Sequence, residues 1–478
     1  MVSRMWRMEN PPTKRRIFGL KTMHQHSKHA LLPRYHGKSW LNVRLPRKTV
    51  EWCEGGAKSL AHDCTDEKSL MTTLKELNKT NAWVWPKRKH IFLSDLHGDP
   101  DAFAASLVLS GCIKKNGPKP TDFSLNESGR KANFIIGGDC FDKGPSSLGL
   151  LRTIRHLKDQ GARVRVLAGN HDVRVLFGMQ AIGKHKTPKN EHFFIRTGQK
   201  IIPLLKEIWT EYLQEADSLK HIPNKRTCKK MLYPSREWFN RFPDLAEPHL
   251  ISHQIERELT RIRKKYDTFE DKCEKAGLNL RQVYAAALKW QELFLLPKGE
   301  FHWFYKQMRL AFKSGSFLFI HAGLDNKVAE QLSGIGVKDL NRIFKQALQG
   351  APFDFYYSPL CNTVRTKYRN VDHPFTNKGA RHVRRAGISA IIHGHRNLHS
   401  GQRIALRKGV LNFECDASLD SHTRRNEKIR GRGAAVTIIH PKGKILGLSS
   451  DYPHIKLFAP HSTLLHLQKK HAKRKTKQ

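Results

Sequence analysis

The sequence predicts an α/β layered domain, interrupted by a long helical stretch and flanked by strongly basic ends. Three observations carry that reading. Short apolar runs of strand length, each followed at βα spacing by a helical segment, recur between residues 90 and 168. The same strand style resumes at Ser316 and continues to Leu448. Between them, from about Val173 to Lys313, apolar residues recur mostly at helical spacing.

Taken in order, Ser69–Leu77 reads as a helix with Leu70, Leu74 and Leu77 on one face. His90–Ser94 is the first strand of the domain, and Asp95-Leu96-His97-Gly98-Asp99-Pro100 follows it. Asp101–Ser110 is helical, with Phe103, Leu107 and Val108 inward, and Gly111–Arg130 reads as a polar loop. The strand Phe134–Ile136 ends in Gly137-Gly138-Asp139-Cys140-Phe141-Asp142-Lys143-Gly144-Pro145, a tight loop with two carboxylates at its mouth. Leu148–Leu157 is an amphipathic helix, and Arg163–Ala168 is a third strand ending in Gly169-Asn170-His171-Asp172.

In the helical stretch Leu204, Leu205, Ile208, Trp209 and Tyr212 share a face, as do Leu280, Val283, Tyr284, Ala287 and Phe294. Such stripes are packing faces. Ser316–Ile320 then ends in His321-Ala322-Gly323, and Ile388–Ile392 ends in His393-Gly394-His395. Val410–Phe413, Ala434–Ile439 and Ile445–Leu448 supply further strands.

Composition bounds the partners. Of 478 residues 39% are hydrophobic, enough for a sizeable core, and 86 Lys and Arg against 42 Asp and Glu leave a formal charge of +44. A surplus that large implies polyanionic company: nucleic acid, acidic membrane or anionic substrates. Eight cysteines without a C-x-x-C pair argue against a zinc ribbon and a disulfide framework, so a reducing, cytoplasmic compartment is the default. No run of 18 apolar residues is present, so no transmembrane helix is expected. The N-terminal stretch to about residue 50 carries Glu9 as its single acid, with Trp6, Phe18, Tyr35 and Trp40 among basic clusters. A nucleic-acid arm and a surface-wrapping extension both fit it, and Glu9, Pro11 and Pro12 weigh against an organellar presequence. Lys469–Lys477 reads as a basic tail.

Five apolar runs end in metal-competent side chains: Asp95 with His97, then Asp139, Asn170, His321 and His395. A dinuclear transition-metal site needs oxygen and imidazole donors of this kind, with one carboxylate shared between the ions. Asp95-x-His97, Gly138-Asp139-x-x-Asp142-Lys143-Gly144, Gly169-Asn170-His171-Asp172, His321-Ala322-Gly323 and Gly394-His395 together resemble the ordered signature of the calcineurin-like metallophosphoesterase superfamily. The Asp-x-x-Asp-Lys-Gly-Pro and His-Ala-Gly-Leu forms are similar to the phosphoprotein phosphatase branch and its bacterial-type relatives.

The resemblance implies a four-layer α/β/β/α sandwich with two central sheets and metals at their C-terminal edge. It divides the chain into a basic extension (1–89), two halves of a metallophosphoesterase domain (90–172 and 315–450), a mainly helical insertion (173–314) and a basic tail (451–478). It implies that Asp95 and His97 hold a first ion, that Asp139 bridges, and that Asn170, His321 and His395 hold a second. His393 would either back the ligands or join them. The ions would be divalent or trivalent, manganese or iron, with zinc as an alternative. Many members carry a further His where this chain has Asn397.

The implied chemistry is attack on phosphorus by a metal-bridging hydroxide, with His171 as general acid, oriented and raised in pKa by Asp142. Lys143 stands where the protein phosphatases have Arg, and Arg365 resembles a second phosphate-binding arginine, with Arg369 and Arg174 as alternatives. Asp99 and Asp172 are expected to stabilise loops. The expected function is hydrolysis of phosphate monoesters, on a phosphoprotein or a small phosphorylated metabolite. The alternatives are a phosphodiesterase or nuclease on the same scaffold, or a catalytically silent nucleic-acid-binding protein.

Overall fold

The short apolar runs become strands that are buried on both faces, which is why they lack the alternation of a half-exposed sheet. The computed structural model describes residues 32–53, 66–183, 186–350 and 352–476. Strands β1 to β14 in chain order are Lys48–Glu51, His90–Leu93, Ile113–Lys115, Phe123–Leu125, Asn133–Ile136, Arg163–Val166, Ala311–Ser314, Phe317–Ile320, Ala390–His393, Arg403–Arg407, Val410–Glu414, Ala435–His440, Lys444–Ser449 and His454–Phe458. They build a seven-stranded sheet in the order β1-β14-β13-β12-β2-β5-β6 and a five-stranded sheet in the order β10-β11-β9-β8-β7. β2, β5 and β6 run parallel, joined through the helices Pro100–Leu109 and Ser147–Asp159. In the second sheet β8, β9 and β11 are parallel and place the ends of β8 and β9 side by side.

Alternation along each strand sorts the side chains into layers. Phe92, Ile135, Phe317, Phe319, Ile392, Leu411 and Phe413 point into one apolar layer shared by the two sheets. Their neighbours Ile91, Leu93, Phe134, Ile136, Leu318, Ile320 and Ile391 belong to the outer layers, packed with the helices. The result is the four-layer α/β/β/α arrangement, with a large helical segment between β6 and β7.

Three segments depart from the sequence reading. Residues 111–130, read as a polar loop, contain the antiparallel hairpin β3–β4 and the start of the short helix Glu127–Lys131. Strands of three residues leave too little periodicity to detect, and only Ile113, Lys115, Phe123 and Leu125 turn inward. Part of the N-terminal extension is built into the fold: β1 pairs in parallel with β14, and Trp52 is buried against Phe413. The segment read as a basic tail forms β14, followed by the helix Pro460–Lys475, which packs on the helix Glu67–Lys79. Lys470 Nζ lies 2.6 Å from Glu67 Oε1 there. The basic cluster Lys14-Arg15-Arg16, with Trp6 and Phe18, lies outside the described residues.

A buried ion pair ties the helical segment together. Arg196 Nε donates to Glu258 Oε1, Arg261 Nη1 reaches Glu258 Oε2 at 2.8 Å, and the Tyr357 hydroxyl donates to Glu258 Oε1 at 3.3 Å. Burial alone would raise the Glu258 pKa, but Arg196 and Arg261 pull it down to about 2 from 4.5. Because the folded value lies below the ordinary one, the stabilisation from this carboxylate is fully present above pH 4.5 and is lost as pH falls toward 2. Glu258→Ala leaves Arg196 buried without its counter-ion and is expected to cost about 3–5 kcal/mol in urea unfolding at pH 7. The deficit should shrink when unfolding is measured between pH 4 and pH 3.

Candidate metal centre

The loops that follow β2, β5, β6, β8 and β9 converge at one edge of the two sheets, and their backbone is bent to do so. Asp95, His97, Asp139, Asp142, Lys143 and His395 adopt φ values of 57°, 45°, 56°, 75°, 70° and 66°. Non-glycine residues enter this left-handed region at a cost, so surrounding contacts must hold them there. Asp95 N donates to Gly138 O at 3.1 Å, His97 N to Asp139 O at 2.8 Å, and His395 N to Asp95 Oδ2 at 3.0 Å. The loops approach so closely that a Cβ on Gly394 would lie 2.0 Å from Asp95 Oδ2, and one on Gly169 2.1 Å from Asp139 N.

Asp172 gathers these loops. Its Oδ2 accepts from Asp139 N and Gly169 N, each at 2.9 Å, and its Oδ1 accepts from Cys140 N at 2.8 Å. Burial, with the Asp139 charge beside it, pushes its pKa up to about 7 although the three N–H groups oppose the shift. Asp99 caps the helix Pro100–Leu109 through Ala102 N at 2.9 Å and accepts from Ser421 N at 2.9 Å.

Two donor groups result, sharing Asp139. In one, ligand atoms of Asp139, His321 and His395 lie within 4.8 Å of one another. Asn170 Oδ1 is 3.3 Å from His321 Nε2, which lies 3.4 Å from Asp139 Oδ2. His321 Nδ1 faces Gly137 O at 2.8 Å and His395 Nε2 faces Arg365 O at 3.0 Å. A ring nitrogen facing a carbonyl carries the proton, so each imidazole keeps its other nitrogen for the centre. Burial opposes charge on His321, yet Asp139 raises its pKa to about 10. That environment draws a cation, and the mixed O/N donor set suits a transition-metal ion.

The second group is Asp139, His97 and His171. His97 Nδ1 faces Phe141 O at 3.1 Å, and Lys143 Nζ lies 3.0 Å from His97 Nε2. Asp95 belongs to neither donor group; its Oδ2 accepts from Ser94 Oγ at 2.5 Å and from His395 N at 3.0 Å. The imidazole of His393 is fully buried, its Nδ1 is 3.0 Å from Gly394 O, and it belongs to neither donor group.

His171 sits against the shared carboxylate, Nε2 at 3.7 Å from Asp139 Oδ2, with Nδ1 2.7 Å from Asp142 Oδ2. Asp142 raises the His171 pKa, as expected, but burial, helped by Arg174, outweighs Asp142 and Asp139 together and lowers it to about 3. Lys200, which the sequence reading missed, places Nζ 3.3 Å from Asp142 Oδ2. It comes from a turn remote in sequence, and only the packed helical segment brings it near. Arg174, one turn along the helix that begins at Asn170, has a buried Nη2 with no hydrogen-bond partner among the described residues. Arg365 meets the centre through its backbone carbonyl, while its guanidinium lies 5.2 Å from the Tyr356 ring centre. Arg369 is exposed and pairs with Asp372 at 3.2 Å.

Two cavities are rich in basic side chains, and the second of them reaches Asp142 of the centre. One of about 840 Å³ is lined by Lys367, Arg396, Arg403, Lys456 and Lys470 among others. The other, of about 600 Å³, includes Asp142, Lys143, Lys200, Lys272 and Lys275. Asn397 lines both.

Comparison with known proteins finds a family match over part of the chain. Residues 89–276 match the family model described as calcineurin-like phosphoesterase. No curated protein matches the sequence. Among solved structures, the chain is similar to a cold-active protein-tyrosine phosphatase of a psychrophilic Shewanella species, at 12% identity over 79% of this chain and 83% of that one, with a TM-score of 0.38. It is similar to a protein serine/threonine phosphatase from Saccharomyces cerevisiae with similarity to human phosphatase PP5, at 12% identity over 82% and 90% of the two chains, with a TM-score of 0.37. Likeness at that level carries no argument about substrate. No helix among the described residues is long and apolar enough to cross a membrane. The match identifies a calcineurin-like phosphoesterase domain beginning at residue 89 and supports a metal-dependent phosphoric ester hydrolase.

Proposed function

We propose that this chain hydrolyses phosphate monoesters, on a phosphoprotein or a small phosphorylated metabolite. The observation that supports this best is the convergence of Asp139, Asn170, His321 and His395 beside the His171–Asp142 pair. In this reading those four residues hold one divalent ion, and Asp95 and His97 with the shared Asp139 offer a second position. The ions, manganese or iron, would supply Lewis acidity toward the phosphoryl oxygens and an activated water.

The chain's own residues would supply the rest. His171 would deliver a proton from Nε2 to the departing oxygen, with Asp142 holding the ring through Nδ1. Burial keeps the imidazole neutral at rest, and the charge of a bound phosphate dianion would favour its protonated form. Arg174, with its unpartnered Nη2, and Lys200 would face the phosphate oxygens, and the basic cavities would receive the charged remainder of the substrate.

Purified protein loaded with Mn²⁺ is expected to hydrolyse p-nitrophenyl phosphate, to lose this activity to a chelator and to regain it with Mn²⁺. Asp139→Asn should abolish turnover and metal retention together; turnover that survives it would overturn the assignment of Asp139. His171→Ala should lower kcat by about 100- to 10,000-fold while the ion held by Asn170, His321 and His395 is retained. Hydrolysis of bis-p-nitrophenyl phosphate without monoester turnover would replace this reading with a diesterase. For the loop anchor, Asp172→Ala should lower both metal retention and thermal stability, because three buried N–H groups lose their acceptor, at about 1–3 kcal/mol for each.

A further inference from the structure

We propose that the Lys143 ammonium occupies the first metal position in the resting protein, so that the chain holds one ion tightly and admits a second only when this side chain withdraws. The proposal rests on the reading of the donor groups given above. His97 has one lone pair to give. Its Nδ1 faces the Phe141 carbonyl at 3.1 Å and therefore carries the proton, which leaves Nε2 as the ligand atom. Lys143 Nζ lies 3.0 Å from that nitrogen. An ammonium hydrogen bond and a metal bond there are mutually exclusive.

The neighbouring donors are engaged in hydrogen bonds as well. Asp95 Oδ2 accepts from Ser94 Oγ at 2.5 Å, and both its oxygens accept from His395 N, at 3.2 and 3.0 Å. Asn397, which stands where many relatives have another imidazole, donates its amide to Glu427 Oε1 at 2.9 Å. Asp416 is buried nearby, and its Oδ2 has no hydrogen-bond partner among the described residues. The second position differs: among the described residues no ammonium or guanidinium bonds to the ring of His321 or His395.

The turn prepares the lysine for this role. Lys143 has φ of 70°, and its N–H donates to Asp142 Oδ1 at 2.9 Å, so its backbone is set by the same loop that presents Asp139. A compact ammonium on a flexible four-carbon stem can leave and return, which a planar guanidinium at the same place could not do as readily. The substitution of Lys for the Arg of the protein phosphatases thus changes the metal count as well as the phosphate contact.

Metal-free full-length protein titrated with Mn²⁺ tests this, with bound ions counted by mass spectrometry and their coupling read by electron paramagnetic resonance. Wild type should bind one ion tightly and show the spectrum of an isolated Mn²⁺. Lys143→Met, and Lys143→Gln as a second variant, should bind a second ion about tenfold or more tightly than wild type, the factor expected for removing one charge-assisted hydrogen bond, and show a spin-coupled pair. Two tight ions in wild type, or second-ion binding unchanged in folded variants, would overturn the role of Lys143. A wild type that binds no ion would overturn the donor assignment itself, and the lysine proposal with it. Unfolding temperatures of the metal-free variants, compared with wild type, identify any variant that fails to fold.

Discussion

The centre depends on one buried carboxylate that touches no phosphate in any reading of the site. Asp172 collects the N–H groups of Gly169, Asp139 and Cys140, and so binds the loop after β6 to the loop after β5. Of the left-handed residues in the loop after β5, Asp139 is held directly by this anchor. Asp139 then passes the constraint on, since its Oδ1 accepts from His171 N at 2.9 Å and its carbonyl accepts from His97 N. The glycines are equally forced, because the loops meet at distances that leave no room for a Cβ at Gly169 or Gly394. Strain concentrated in a few residues is tolerable where buried hydrogen bonds over-determine the geometry.

The sheets supply the rigid support. Their strand ends are brought together because one apolar layer, from Phe92 and Ile135 to Phe319, Ile392 and Phe413, is buried between them. The chain termini contribute to that support. β1 and β14 extend the seven-stranded sheet, and Trp52 packs edge-on against Phe413 in the inter-sheet layer. The net charge of +44 is therefore not confined to free arms. Part of it lines two cavities, with Lys367, Arg396 and Lys456 facing one and Lys200, Lys272 and Lys275 facing the other, which reaches Asp142.

Much of the fold could be read in advance for a simple reason. Buried strands of an α/β domain are continuous apolar runs, and loops that carry chemistry break them with Gly, Asp, Asn and His. The hairpin β3–β4 could not be read, because three residues per strand are shorter than the window that periodicity needs. Strand β14 was missed although His454-Ile455-Lys456-Leu457 alternates polar and apolar in step with its burial, because one short strand was absorbed into the basic composition of the stretch around it. The pull of Asp142 on the His171 pKa could be read because a nearby carboxylate is visible in a motif; the burial that outweighs it is not.

The sequence by itself determined the α/β class, the positions of the strand-end loops and the residue types they present, since these follow from local hydrophobicity and turn chemistry. Only the tertiary structure decided which of those residues face one another. It brought Lys200 to Asp142, turned the Arg365 guanidinium toward Tyr356, and set Lys143 against His97. The physical reason is that side-chain direction, close backbone approach and desolvation are properties of packed elements far apart in the chain, and no local pattern of residues encodes them.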